Sequence, residues 1–446
     1  MKRVSTFAPL LALSLSLCAA PSVGARVQAG ARPRTAEGTE TGQKASEAQT
    51  LYEEAAHYAQ KKFDEFRQNQ VPYDRLLEQK ILQEQKDLAL QNAARLAARA
   101  PLHGTDLFYS GLLYSLAGKA EGALDSMRRF LSDTEPASAD LKQRARSVIA
   151  QQAAQLGLTA EAERARDEYA KTEPRNVADL HRINLLVAAA YLKKKDFASA
   201  VASAGAAYAA ALEYARTATD PSQRDSTVFG AGSFYTNVLV KAGRREEAVR
   251  VAQEMRARAL SFPSARLYGQ ATELVLRQGE SLDLPPEVAG LAYPTPPELT
   301  VAELIGQGPV KLSELRGKVV LLDFWATWCT YCVKTMPRLN ALHQKYKDRG
   351  LVIIGLNQFE GNVQGEAVTR AQELEYFRQF KRRMNVAYDF AVAADSHNDG
   401  AFGVASLPTA VLLDRRGRVR FLTVSAADEE AELLKKMIVK LLDETP

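Results

Sequence analysis

The chain has 446 residues, 46% hydrophobic and 25% charged, which is the balance of a folded globular protein and too much chain for one ordinary core. Its 58 basic and 53 acidic residues leave a formal charge of only +5 with no long basic run, which argues against a nucleic-acid partner. Three cysteines are too few for the disulfide framework of a small secreted scaffold.

At the start, Lys2 and Arg3 precede an apolar run from Leu10 to Leu17 and then small residues. This is the layout of a secretory signal peptide over residues 1–25, cut after Ala25 with Val23 three residues before the cut, or at Ala20. The apolar run is too short to stay in a bilayer as a helix. An exported protein of the periplasm or cell envelope is therefore expected. Cys18 opens a second outcome, acylation as in bacterial lipoproteins, although Leu17 is not the small residue that such a signal places before its cysteine. Residues 26–45, rich in Gly, Ala, Arg, Thr and Glu, read as a disordered spacer.

Residues 46–278 are Ala-, Leu-, Arg- and Glu-rich with apolar residues at helical spacing, which predicts an all-α domain. Repeats show within it. Leu107, Gly111, Tyr114, Gly118, Ala123 and Pro136 resemble the tetratricopeptide pattern, and Gly157 with Ala162, Tyr191 with Ala200, and Gly243 with Ala248 mark further units. The alanine steps of 39, 38 and 48 residues exceed a strict 34-residue unit, so the repeats are degenerate or lengthened, or the region is an irregular bundle. A concave helical surface suits a protein partner. His57, His103 and His181 have no companion at ligand spacing and read as ordinary packing or surface residues.

Residues 279–298 hold five prolines and read as a stiff connector between two domains. From 299 to 446 the period changes. Short strands are expected at Leu299–Leu304 and Val310–Leu312, and buried strands at Val319–Trp325 and Leu351–Leu356. Helices are expected over Leu339–Lys347, Glu366–Met384 and Asp428–Leu442, with a hairpin from Ala410–Asp414 to Val419–Val424. Such alternation gives an α/β sheet covered on both faces.

The chemistry sits in Phe324-Trp-Ala-Thr-Trp-Cys-Thr-Tyr-Cys332. A Cys-x-x-Cys at a strand-to-helix junction places the first thiol at a helix N-terminus, where unpaired N–H groups and the macrodipole favour a thiolate. Cys329 is then the nucleophile, and Cys332, one turn in, the resolving thiol. Pro337 falls just after the first turn of that helix and should kink it.

With the lead-in Leu312-Ser-Glu-Leu-Arg-Gly-Lys318 and the late Gly403-Val-Ala-Ser-Leu-Pro-Thr409, this motif makes residues 299–446 resemble the thioredoxin superfamily, and within it the TlpA/ResA-like thiol–disulfide oxidoreductases. The resemblance implies a cis-proline at Pro408 facing the cysteines. It also implies a substrate groove shaped by Leu407 and Pro408, beside Trp328, Thr330 and Tyr331 of the motif, and reduction of disulfides in partner proteins. Re-reduction would come from an electron-donor thiol protein, membrane-bound or soluble. Where many such relatives carry an acidic residue, this chain has Thr335; Asp323 instead matches the buried aspartate of thioredoxin. Asp323 is either the acceptor of the Cys332 proton or a structural aspartate.

No cofactor or metal is expected. Zinc needs two further ligands near the pair, c-type haem needs histidine where Val333 stands, and His397 is an unsupported copper ligand. A thiol peroxidase on the same fold and a non-enzymatic binding scaffold are the alternative readings.

Overall fold

The computed structural model describes residues 46–444 apart from 73, 100, 287, 289, 290 and 294. The expected signal peptide, Cys18 and the spacer lie outside the described residues. From Glu47 to Arg277 the described chain is helical: α1 (Glu47–Gln68), α2 (Arg75–Ala97), α3 (Gly104–Leu116), α4 (Ala120–Ser132), α5 (Ala139–Gln155), α6 (Thr159–Lys171), α7 (Val177–Lys193), α8 (Phe197–Ala215), α9 (Pro221–Lys241), α10 (Arg245–Ser261) and α11 (Ala265–Arg277). Oxygen-bearing side chains start many of them; Ser46, Asp74, Ser138, Asn176 and Asp220 each accept a backbone N–H from the first turn.

Four helix pairs, α3/α4, α5/α6, α7/α8 and α9/α10, share one local design. Each joining turn has a residue with positive φ: Gly118 at 72°, Gly157 at 73°, Lys195 at 61° and Gly243 at 74°. In each, the next N–H reaches back five residues, from Lys119 to Tyr114, Leu158 to Ala153, Asp196 to Tyr191 and Arg244 to Leu239, at 2.8–3.1 Å. The alanines singled out above, 123, 162, 200 and 248, are the fourth residues of α4, α6, α8 and α10 and are all fully buried, where a larger side chain would hold the paired helices apart.

Lys195 occupies the left-handed conformation that its three counterparts give to glycine, at a cost to an L-residue of roughly 1 kcal/mol. Lys195→Gly is therefore expected to leave stability unchanged or raise it by up to about 1 kcal/mol, and Gly243→Ala to lower it by about as much. Urea unfolding of the two variants reads the opposite signs; equal effects would mean the turns are not equivalent.

After the connector come β1 (Glu303–Ile305), β2 (Val319–Phe324), α12 (Thr330–Tyr346), β3 (Leu351–Gln358), the small hairpin β4 (Asn362–Val363) and β5 (Glu366–Ala367), α13 (Arg370–Arg383), β6 (Asp389–Ala393), α14 (His397–Ala401), β7 (Thr409–Leu413), β8 (Val419–Thr423) and α15 (Asp428–Asp443). Six strands form one sheet in the order β1-β6-β3-β2-β7-β8. β2, β3 and β6 run parallel, and β1, β7 and β8 add antiparallel pairings. An all-α domain thus precedes a mixed α/β thioredoxin-like domain.

Local details depart from the sequence reading for visible reasons. Residues 310–312 are not a strand, because the Leu312 and Ser313 N–H groups donate to the Glu298 carboxylate at 2.6 and 2.8 Å. α13 begins at Arg370 rather than Glu366, because Thr369 and Gln372 form a capping box. Before it, Gly361 and Gly365 turn the chain with φ of 71° and 90° into the β4–β5 hairpin.

The apolar core does not divide at the connector. One cluster holds Met255, Leu267, Tyr268 and Val275 of α10 and α11 together with Phe421, Leu422 and Phe324 of the sheet and Trp325 just after β2. Tyr268 meets Phe421 edge-on with ring centres 6.1 Å apart. Arg256, buried beneath them, donates to the Tyr268 hydroxyl at 2.9 Å and to the Asp283 carbonyl of the connector at 2.9 Å.

Candidate active site: a cysteine pair at a helix start

β2, a central strand buried along its whole length, delivers the chain from its C-terminal end to the start of α12. Cys329 is the N-cap of α12, and its Sγ accepts the Cys332 N–H at 3.1 Å. The two sulfurs are joined as a disulfide. When the bond is reduced, the same N–H group and the positive helix end are what a Cys329 thiolate would meet. Cys332, on the inner side of the helix, is only 1% exposed. Pro337 is accommodated within α12.

The flanking residues divide by exposure. Trp328 and Tyr331 stand 65% and 64% exposed on either side of Cys329, uncommon for rings of this size, and Thr330 is exposed between them. Trp328 is held by its indole N–H, which donates to Glu360 at 2.7 Å, and Lys334 lies over the Tyr331 ring at 5.4 Å. The Leu407–Pro408 peptide bond is cis. Leu407 lines a cleft of about 140 Å³ with Trp328, Phe324 and Glu360. Pro408 lines a second of about 540 Å³ with Asp323, Thr335 and Leu339.

Asp323 lies in the middle of the sheet, between Gly355 of β3 and Ala410 of β7, and is 2% exposed. Burial pushes its carboxyl up to about 7, partly offset by the Tyr388 hydroxyl, and Asp323 in turn helps to raise Tyr388. Its Oδ2 has no hydrogen-bond partner among the described residues. The second cleft therefore opens onto a carboxyl that exchanges its proton near neutrality, and it is also lined by Thr335, whose hydroxyl donates to the Cys332 carbonyl at 2.8 Å. Tyr388 and Glu360 were not legible as site residues; each is brought in by a strand or loop far along the chain, with no motif around it.

Between pH 3.8, the ordinary value for such a group, and about 7, the folded chain keeps a proton on Asp323 that the unfolded chain has released. Stability therefore falls as pH rises through that window. Asp323→Asn removes this loss. Urea unfolding of the oxidised variant is expected to show a gain over the native chain at pH 8 of up to about 4 kcal/mol, shrinking toward pH 4. A gain that does not change with pH would mean that Asp323 is ionised throughout.

Fold and site together define a thioredoxin-like oxidoreductase domain with a redox-active Cys-x-x-Cys pair. Residues 295–422 match the AhpC/TSA family. Thiol-disulfide oxidoreductase ResA of Bacillus thuringiensis (strain Al Hakam) is 35% identical over 123 residues, 28% of this chain and 64% of that protein. ResA of Geobacillus thermodenitrificans (strain NG80-2) is 29% identical over 136 residues, 30% of this chain and 71% of that protein. The chain thus spans a little under two thirds of the length of the first of these relatives. Among solved structures, a putative thiol:disulfide interchange protein DsbE from Chlorobium tepidum is 28% identical, covering 36% of this chain and 99% of its own, with a TM-score of 0.29. A putative protein disulfide isomerase from Bacteroides thetaiotaomicron is 32% identical, covering 34% and 89%, with the same TM-score of 0.29.

Proposed function

We propose that this protein is an exported thiol–disulfide oxidoreductase that reduces disulfides in partner proteins. Its helical pairs would act as degenerate tetratricopeptide-like repeats that recruit a partner. The observation that carries the reading is the oxidisable pair at the start of α12, with Cys329 as N-cap and Cys332 buried behind it. The shared turn and the buried alanine of the four helix pairs support the repeat reading. Export rests on the N-terminal sequence layout.

In the reduced chain the Cys329 thiolate attacks one sulfur of a substrate disulfide and expels the other as a thiolate, leaving a mixed disulfide. Cys332 then gives up its proton and attacks Cys329 Sγ. The Cys329–Cys332 bond forms, the second substrate sulfur leaves, and two electrons have passed to the substrate. We assign the Cys332 proton to Asp323, whose carboxyl, at about 7, takes and returns a proton at neutral pH. Trp328, Thr330, Tyr331, Leu407 and Pro408 form the surface on which the substrate chain lies. A donor dithiol protein, membrane-bound or soluble, restores the reduced pair.

The match to the AhpC/TSA family favours a second reading, thiol peroxidase. The two part in one assay. With a dithiol supplied, the oxidoreductase reading expects catalytic reduction of insulin and no consumption of hydrogen peroxide beyond the buffer rate. Peroxide turnover without insulin reduction reverses the assignment, and neither activity returns the protein to a binding scaffold.

A further inference from the structure

α11 does more than cover the sheet. Its first two N–H groups, of Ala265 and Arg266, donate to the Phe402 and Gly403 carbonyls at 3.1 and 2.9 Å, on the loop that leads to Pro408. Ser264, fully buried, accepts the Leu267 N–H at 3.1 Å and donates its hydroxyl to Asp225 of α9 at 2.5 Å. Gly403 permits the approach: it sits at φ 58°, and a Cβ there would lie 3.0 Å from Ser264 Cα. Further along the helix, Gly269 lets α11 press on Val424 past the end of β8, where a Cβ would again find 3.0 Å. The helix is fixed against the Pro408 loop by two backbone bonds and the Gly403 contact, against α9 by a buried hydroxyl–carboxylate pair, and against the end of β8 by the Gly269 contact.

Between the helix and that loop runs a groove of about 310 Å³, with Arg266, Gln270 and Glu273 on one wall and Ala405, Ser406 and Thr409 on the other. Gln270 lines the groove, and its Oε1 is buried under the wall with no hydrogen-bond partner among the described residues, an acceptor that a turn of the side chain would bring into the groove. Arg266, bonded to Ser222, and Glu273, bonded to Arg277, place opposite charges seven positions apart on the helix, about 10 Å at 1.5 Å per residue. Three residues of extended polypeptide span the same distance, at about 3.3 Å each. Ser406 is two residues from Pro408, at most about 8 Å of chain.

We propose that this groove is a subsite of the redox centre: it takes the polypeptide flanking the target disulfide, with the Gln270 side chain turning to accept a backbone N–H from it. The inference rests on the oxidoreductase reading and deepens it. The substrate is a disulfide carried on an extended, accessible protein segment rather than a small disulfide. The helical domain reads that segment to one side of the cysteine.

The test is single-turnover oxidation of the full chain, reduced beforehand and freed of reductant, by two peptide disulfides. One is the dimer of Gly-Cys-Gly; the other is the dimer of an eleven-residue peptide with cysteine at its centre. The native chain is expected to half-saturate at lower concentration with the longer peptide. In the combined Arg266→Ala, Gln270→Ala, Glu273→Ala variant that concentration should rise about 5-fold, with the maximal rate and the short-peptide kinetics unchanged. A variant that keeps the native preference overturns the subsite. So does one that loses rate equally on both peptides, since α11 would then only prop the site. If the native chain reacts with neither peptide, the oxidoreductase reading itself fails and takes the subsite with it.

Discussion

Cys329→Ser is expected to abolish disulfide reduction, down to the rate of the dithiol in buffer alone, whereas Cys332→Ser should keep the first step and lose the second. The asymmetry follows from position. Cys329 is the N-cap of α12, and its Sγ already accepts the Cys332 N–H, so its thiolate has a donor and a positive helix end in place. Both sulfurs are buried in the disulfide form, Cys329 at 5% and Cys332 at 1% exposed, so it is the cap position, with Cys332 one turn inside the helix, that sets the order of reaction. A serine hydroxyl at 329 has neither the acidity nor the nucleophilicity to open a disulfide. In an insulin assay both variants fall to background. In a single-turnover measurement with excess peptide disulfide, only Cys332→Ser should release one thiol per chain. Equal release by both variants would mean that the roles are not divided in this way.

A chain that begins at Leu299 is expected to be severely destabilised, although it contains every strand of the sheet and both cysteines. It loses α10 and α11, and with them the cover over Phe421 and Val424, which Tyr268 and Gly269 supply. Uncovering two apolar side chains costs about 3–6 kcal/mol at about 1.5–3 kcal/mol each, a large share of the ~5–15 kcal/mol by which domains are stable. The Phe402 and Gly403 carbonyls also lose their α11 donors. For a domain of this size the melting temperature should fall by roughly 10 °C or more, or the product should aggregate. Cutting instead near Ser46 removes no described helix and should leave the melting temperature where it is. If the chain from Leu299 melts with the full protein and matches its rate on the long peptide, α11 neither supports the sheet nor reads the substrate.

The contrast shows which parts of the molecule its sequence discloses. β2 reads as a strand because Val319 to Phe324 is an unbroken apolar run, and the Cys-x-x-Cys after it makes the helix start chemically conspicuous. The buried alanines at 123, 162, 200 and 248 are visible because they recur on the same turn of each second helix. The turn of the third helix pair is harder to see, since Lys195 stands where the others have glycine and its match to them shows only in the backbone conformation. β6 escapes because Asp389–Ala393 is short and alanine-bearing, and it is a strand only because β1 and β3 pair with it. Tyr388 joins Asp323 from the foot of that strand, so it was missed along with β6. The helical period of α11 says that one face is buried, but the partner of that face, β8 and the Pro408 loop, is set by tertiary packing that no local pattern carries.

The central claim is that Cys329 makes the covalent bond to substrate and Cys332 resolves it. Mass spectrometry of the reduced Cys332→Ser chain after mixing with a peptide disulfide tests it most directly. The expected result is one peptide thiol added per chain, located on Cys329 and removed by dithiothreitol. An unmodified Cys329, with the peptide disulfide intact, would contradict the account.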